Sequence, residues 1–328
     1  MSFTFLLCPE RSGSNLITQM MNSHPDICGP SAKHLFNPIT RNLFRYGNLE
    51  KEQNWESLLI DVERLMNVNF SIWKSKFDLL KLKKISENRK VDTLLKNIYL
   101  EEAKANNKTH LFIKENHVYE FFPFLLYYFP EANYLYLIRD PRDMALSWKK
   151  YDALKGGIVT AAKHWKNDQI NNLKNYYLLK LHNKAMLIKY EDLISDTVNC
   201  GNKICKFIGV EYSDKILDFY LNDLTKQNAD KQVAWENLKK KVMPNNKDKF
   251  KKELTDIEIK IIEKICYYEM HFFGYTPINS HEELEALSEN EIISYETDEF
   301  KNLNYKLSNG IIDNIDAKRY FYNKMILE

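Results

Sequence analysis

Three short stretches combine residue types and spacings suited to chemistry on an anionic ligand. The first is Pro9-Glu10-Arg11-Ser12-Gly13-Ser14-Asn15. It stands between an apolar run, Phe3 to Cys8, and a helical periodicity over Ser14 to Ser23 with Leu16, Ile17, Met20 and Met21 on one side. A helix N-terminus presents unpaired N–H groups and a partial positive charge, so it holds phosphate-like anions readily. Gly13 lets the backbone approach such an anion closely, Ser12 and Ser14 add hydroxyl donors, and Arg11 adds a full charge. Alone, the stretch reads equally as a turn with a serine cap. The Walker pattern is absent, because no lysine follows Gly13 and the first glycine is missing.

The second stretch runs from Ile138-Arg139-Asp140-Pro141-Arg142-Asp143 to Ser147. Asp140 as N-cap and Pro141 at the first helical position account for part of it, and an Arg139–Asp143 pair is an ordinary structural expectation. Arg139 itself, at the end of a buried strand, is left unexplained. Ser147 follows two helical turns later and is a candidate to hold one anion together with Arg139. The third stretch, Lys114-Glu115-Asn116-His117, also follows a strand end. His34 lies one loop after the first helix, within reach of the same cleft. His117 and His34 are candidate bases, since an imidazole titrates near neutral pH.

The elements that must position these residues alternate. Strands are expected at 3–8, 110–114, 133–138 and 185–189, and helices near 54–68, 89–105, 197–208 and 255–272, the last stopping at Gly274. An aromatic-rich helix broken by Pro123 is expected after residue 117, and another helix after Arg139. Such alternation predicts an α/β fold, a parallel sheet covered on both faces, with ligands at the carboxyl edge of the strands. Residues 30–105 read as a helical lid whose aromatics (Phe36, Phe44, Tyr46, Trp55, Phe70, Trp73, Phe77) either line a ligand or pack the core. Between His281 and Glu299 there are eight acidic residues and no Lys or Arg, and a mixed Asn, Tyr and Lys tail follows. The expectation for this part is a solvated helical appendage.

Taken together, these residues resemble the sulfotransferase family that uses 3′-phosphoadenosine-5′-phosphosulfate (PAPS). Arg11-Ser12-Gly13-Ser14 match the family's 5′-phosphosulfate loop. Arg139 and Ser147, within LIRDPRDMALSW, match its 3′-phosphate pair in identity and spacing, and Tyr190-Glu191-Asp192-Leu193 matches a segment near the nucleotide. The resemblance covers about residues 1–276, leaving 277–328 as an extension, and is closer to bacterial and carbohydrate-type members than to the cytosolic phenol and steroid enzymes. It implies a P-loop-like three-layer α/β/α fold with PAPS as co-substrate, no metal, and a hydroxyl-bearing acceptor such as a carbohydrate, lipid or small alcohol. It further implies that Arg11, Ser12, Gly13, Ser14, Asn15, Arg139, Ser147 and Tyr190 bind the nucleotide and that Lys114 helps at the bridging oxygen. Family members use either His or Glu as base, so His117, Glu115 and His34 all stay open.

Composition narrows the alternatives. A net charge of +2 over 328 residues argues against a dedicated nucleic-acid binder. Five dispersed cysteines without a CxxC pair suit a reducing compartment, and the lack of a leader or long apolar run makes a cytoplasmic protein without a membrane span the expectation. A small-molecule kinase and a non-catalytic nucleotide-binding protein are the rival readings.

Overall fold

The computed structural model describes residues 2–327. Five strands form one sheet: β1 (Ser2–Leu7), β2 (Ile27–Cys28), β3 (His110–Lys114), β4 (Asn133–Ile138) and β5 (Ala185–Lys189), in the order β2-β3-β1-β4-β5. Every neighbouring pair is parallel. The strands are apolar without alternation because both faces are covered. Successive side chains leave a strand on opposite sides. Phe5 and Leu7 of β1 therefore enter one buried cluster and Leu6 the other.

The longer helices are α1 (Ser14–Ser23), α2 (Glu52–Asn67), α3 (Val91–Ala105), α4 (Pro141–Lys149), α5 (Ile158–Lys180), α6 (Thr197–Ile208), α7 (Asp256–Phe272), α8 (Glu289–Lys301) and α9 (Asn309–Asn323). Ile17, Met20 and Met21 of α1 close one face of the sheet with Leu193 and Ile204, while α2, α3, α5 and α7 cover the other. The result is the expected α/β fold with helices on both sides. The chain leaves β1 for the sheet edge, returns through β3 and then passes beyond β1 to β4. The loops that follow β1, β3, β4 and β5 consequently meet along one edge, where an open parallel sheet binds its ligands.

Three local expectations change. Pro123 does not interrupt a helix; it stands in the first turn of a short one, Phe122–Tyr128, where no intrahelical N–H bond is lost. Helix α5 was not anticipated, because buried Asp168, Gln169 and Asn172 interrupt its apolar period. The acidic and mixed C-terminal part is not a solvated appendage. Glu299 of α8 accepts the N–H groups of Ile158 (2.6 Å) and Val159 (3.2 Å), capping α5 from outside. In α9 the fully buried Phe321 packs beside Tyr46, with ring centroids 6.3 Å apart. Lys324 pairs with the buried Asp61 at 2.5 Å, and the Leu327 N–H donates to the Arg45 carbonyl at 3.0 Å.

Candidate active site at the sheet edge

The loop after β1 does not end in a serine cap. Gly13 occupies the N-cap position of α1 in the left-handed region (φ +89°), and no side chain accepts the first helical N–H groups. The hydroxyl of Ser12, fully buried, donates instead to the Pro9 carbonyl at 2.7 Å and braces the loop. The uncapped amides at the start of α1 are thus left for a ligand. Gly13 is required twice over: its φ disfavours any side chain, and a Cβ there would overlap the ring of Tyr190, which follows β5.

Arg139 closes the same edge from β4. Its Nη1 donates to the Arg11 carbonyl at 3.0 Å, and its guanidinium lies 4.5 Å over the Tyr190 ring. Arg11 in turn donates from Nε to the Ser147 hydroxyl at 3.1 Å and lies 4.8 Å over Tyr151. The expected Arg139–Asp143 pair does not form. The Asp143 carboxylate accepts the N–H groups of Asp248 (2.6 Å) and Phe250 (3.0 Å), and Asp140 and Glu263 are taken by Arg142 at 2.7 Å each. Arg139 therefore keeps its charge for something else. Its Nε is buried with no acceptor, an arrangement that fits an anionic partner. Burial lowers the pKa of Arg11, the nearby Arg139 charge adds to that, and Tyr151 and Glu10 oppose it. Two cations held together in this way favour a multiply charged anion.

A cavity of about 330 Å³ opens beside Arg11, Gly13, Arg139, Ser147 and Tyr190, with Lys150 and Lys249 at its walls. A second, of about 460 Å³, holds Lys114, Glu115, His117 and His34. Arg11, Ser14, Asn15 and Tyr151 border both, so the anion loop is the partition between them.

In the second cavity, Lys114 is nearly buried at the end of β3. Glu115 is fully buried: its Oε1 accepts the Leu35 N–H (2.8 Å) and the Tyr99 hydroxyl (3.2 Å), while Oε2 has no hydrogen-bond partner and faces His34 Nδ1 at 3.7 Å. Burial raises Glu115 from 4.5 to about 7, against the Leu35 N–H, Lys318 and Tyr99, which pull it down. Burial, then the charges of Lys318 and Lys114, hold His34 well below 6.5. Both groups are driven toward neutrality, so the contact is not a formed ion pair. His117 adopts a left-handed backbone (φ +52°), borders the cavity partly exposed, and has its ring 5.7 Å from Tyr119, whose hydroxyl donates to the buried Asp168 at 2.9 Å. Every residue proposed from sequence for the site thus stands at this edge.

Residues 4–214 match the model of the sulfotransferase family. The chain belongs to the sulfotransferase family. Among curated relatives, this sulfotransferase is 28% identical over 108 residues to carbohydrate sulfotransferase 2 of Mus musculus and of Homo sapiens. The match takes in 33% of the chain and 20% of each relative, so it spans about one fifth of their length. Among solved structures, the sulfotransferase domain from the Synechococcus PCC 7002 olefin synthase superposes with a TM-score of 0.56 at 20% identity, covering 81% of this chain and 94% of that one. The sulfotransferase domain from the curacin biosynthetic pathway gives 0.54 at 17%, covering 84% and 98%. Both share the fold.

Sequence reasoning missed several residues that the sulfotransferase brings to the site. Tyr151 and Lys150 lie just past Ser147 at the end of α4, and their proximity to that serine was the available signal. Asn246, which donates to the Tyr190 hydroxyl at 2.7 Å, gave none. Of the aromatics in 30–105, Phe36, Tyr46, Trp55, Trp73 and Phe77 are buried in the core, Phe44 faces solvent, and Phe70 borders the second cavity. No helix among the described residues is long and apolar enough to cross a membrane.

Proposed function

We propose that the protein transfers a sulfuryl group from PAPS to an acceptor hydroxyl, with the donor in the cavity beside Arg139 and the acceptor in the cavity beside His34. The observation that carries this reading is the pair of linked cations: Arg139 on the Arg11 carbonyl, Arg11 on Ser147, at an uncapped helix N-terminus that also borders a cavity with a carboxyl–imidazole contact. PAPS supplies a sulfuryl group on a good leaving group, the 5′-phosphate of the nucleotide.

In this reading Arg139 and Ser147 hold the 3′-phosphate, while Arg11 and the amides of Gly13 to Asn15 hold the 5′-phosphate and answer the charge that grows there. The Ser12 hydroxyl keeps the loop in shape. Lys114 faces the bridging oxygen. His34, kept neutral by its surroundings, takes the acceptor proton on Nε2, with the Glu115 carboxyl 3.7 Å from Nδ1 to answer the charge that forms on the ring. The acceptor oxygen forms its bond to sulfur as the bridging S–O bond breaks, and that electron pair leaves on the 5′-phosphate. As in phosphoryl transfer, positioning and electrostatics supply most of the acceleration. The five cysteines, all free and buried, support a reducing, cytoplasmic setting.

The test is transfer of label from PAPS to a panel of carbohydrate, lipid and small-alcohol acceptors, with binding of the product nucleotide (PAP) measured by calorimetry. His34→Ala should lower kcat by about 10²- to 10⁴-fold and remove the acidic limb of the pH profile. If His117→Ala carries that loss and His34→Ala does not, the base is misassigned. Absence of PAP binding, together with magnesium-dependent ATP turnover, would sink the whole reading in favour of a kinase.

A further inference from the structure

The second cavity is closed by a helix outside the matched family region. Ile311, Asn314, Ile315, Lys318 and Tyr322 of α9 all face into it, at the three- and four-residue steps of a single helical face. This helix is fixed in place: the Tyr322 hydroxyl donates to Asn37 Oδ1 at 3.0 Å, and the Ser308 hydroxyl to Gln232 Oε1 at 3.0 Å. Around the cavity most polar groups are already engaged. Arg41 pairs with Glu120 at 2.5 Å, Glu10 accepts from Asn116 at 2.6 Å, and Glu115 Oε1 holds Leu35 and Tyr99. Lys318 is not. Glu115 and Glu10 act on it only at a distance, and among the described residues no acceptor takes a hydrogen bond or ion pair from its ammonium.

Lys114 enters the same cavity from β3, likewise without an acceptor among the described residues. Part of the lining is apolar: Phe70 meets Trp235 edge-on with ring centroids 5.5 Å apart, and Ile311 and Ile315 share the helical face of Lys318. Lys318 is half-buried at this wall, and an ammonium partly withdrawn from water without a partner is stabilised by an anion brought to it. Burial lowers Lys318 to about 8, which leaves it charged at neutral pH.

We infer that the acceptor carries an anionic substituent, a carboxylate or a sulfate on a partly apolar body, and that Lys318 of α9 is the residue that selects it. This rests on the assignment of the second cavity to the acceptor. It makes α9 a specificity wall that lies outside the residues matched to the family, which end at 214.

The test uses matched pairs: a glucuronate-containing tetrasaccharide and its methyl ester, and 3-hydroxydodecanoate and its methyl ester. Their binding to the full-length, PAP-saturated protein is measured by calorimetry. At least one acid should bind tighter than its ester by about tenfold or more, the discrimination expected of one charge-assisted hydrogen bond. Lys318→Met should erase that preference while leaving PAP affinity and ester binding unchanged, and Lys318→Arg should retain much of it. The inference is overturned if neither acid outbinds its ester in the unmutated protein, or if the preference survives in Lys318→Met. The comparison in the unmutated protein decides the matter even if a variant does not fold. Failure of PAP itself to bind counts against the donor assignment instead, so the two failures are distinguishable.

Discussion

Arg139→Ala probes the donor seat most directly. In the folded protein one guanidinium N–H is spent on the Arg11 carbonyl at 3.0 Å, and Nε is buried with no acceptor. A hydrogen bond from a charged group contributes about 1.5–3 kcal/mol, so removing the side chain should weaken PAP binding by about 10- to 150-fold. The assay pairs PAP with adenosine 5′-monophosphate, which lacks the 3′-phosphate, and measures both by calorimetry. If Arg139 reads the 3′-phosphate, the loss falls on PAP, and the monophosphate binds near its unmutated affinity. Arg139→Lys keeps a charge but loses the planar fork that reaches the Arg11 carbonyl and a ligand together, so it should lie between. An equal loss on both nucleotides would mean that Arg139 only shapes the loop. Unchanged PAP affinity would refute the donor assignment outright.

Two further outcomes are expected. Glu115 has its folded pKa raised from 4.5 to about 7, chiefly by burial, so the folded state binds more protons between those values and stability falls as pH rises through that window. Glu115→Gln escapes this loss, so its melting temperature should gain on the parent from pH 5 to pH 8 while its kcat falls. A variant that loses ground with rising pH would contradict the burial argument. Gly13→Ala forces an alanine to φ +89° at about 1–2 kcal/mol and drives its Cβ into Tyr190. For a chain of 328 residues that backbone cost alone lowers Tm by roughly 1–3 °C, the overlap with Tyr190 adds to it, and PAP affinity should fall. An unchanged Tm would show that the loop is not held as described.

What sequence revealed depended on how local the signal was. Arg11 to Ser14 and Arg139 were legible because each lies just past an apolar strand, and strand ends in a parallel sheet share one edge; Ser147 was legible by its spacing from Arg139 on the helix that follows. Ser12 was read as a ligand donor, but its hydroxyl turns inward to Pro9, a choice between two nearby acceptors that residue type does not record. Helix α5 was hidden by its own buried polar residues, and β2, with two residues, has no pattern to read. The aromatics of 30–105 show the same spacing whether they line a cavity or fill a core. Lys318 was invisible for a different reason: its meaning arises only when a helix late in the chain crosses over a strand end early in it.

That crossing fixes an order of assembly. Every residue at the donor cavity lies at or before Lys249, whereas the acceptor cavity waits for α9. On the ribosome the lining of the first cavity is therefore synthesised before the last wall of the second. A chain that ends before residue 309 would lose more than that wall: Phe321 would be gone from beside Tyr46, and buried Asp61 would lose its pair with Lys324.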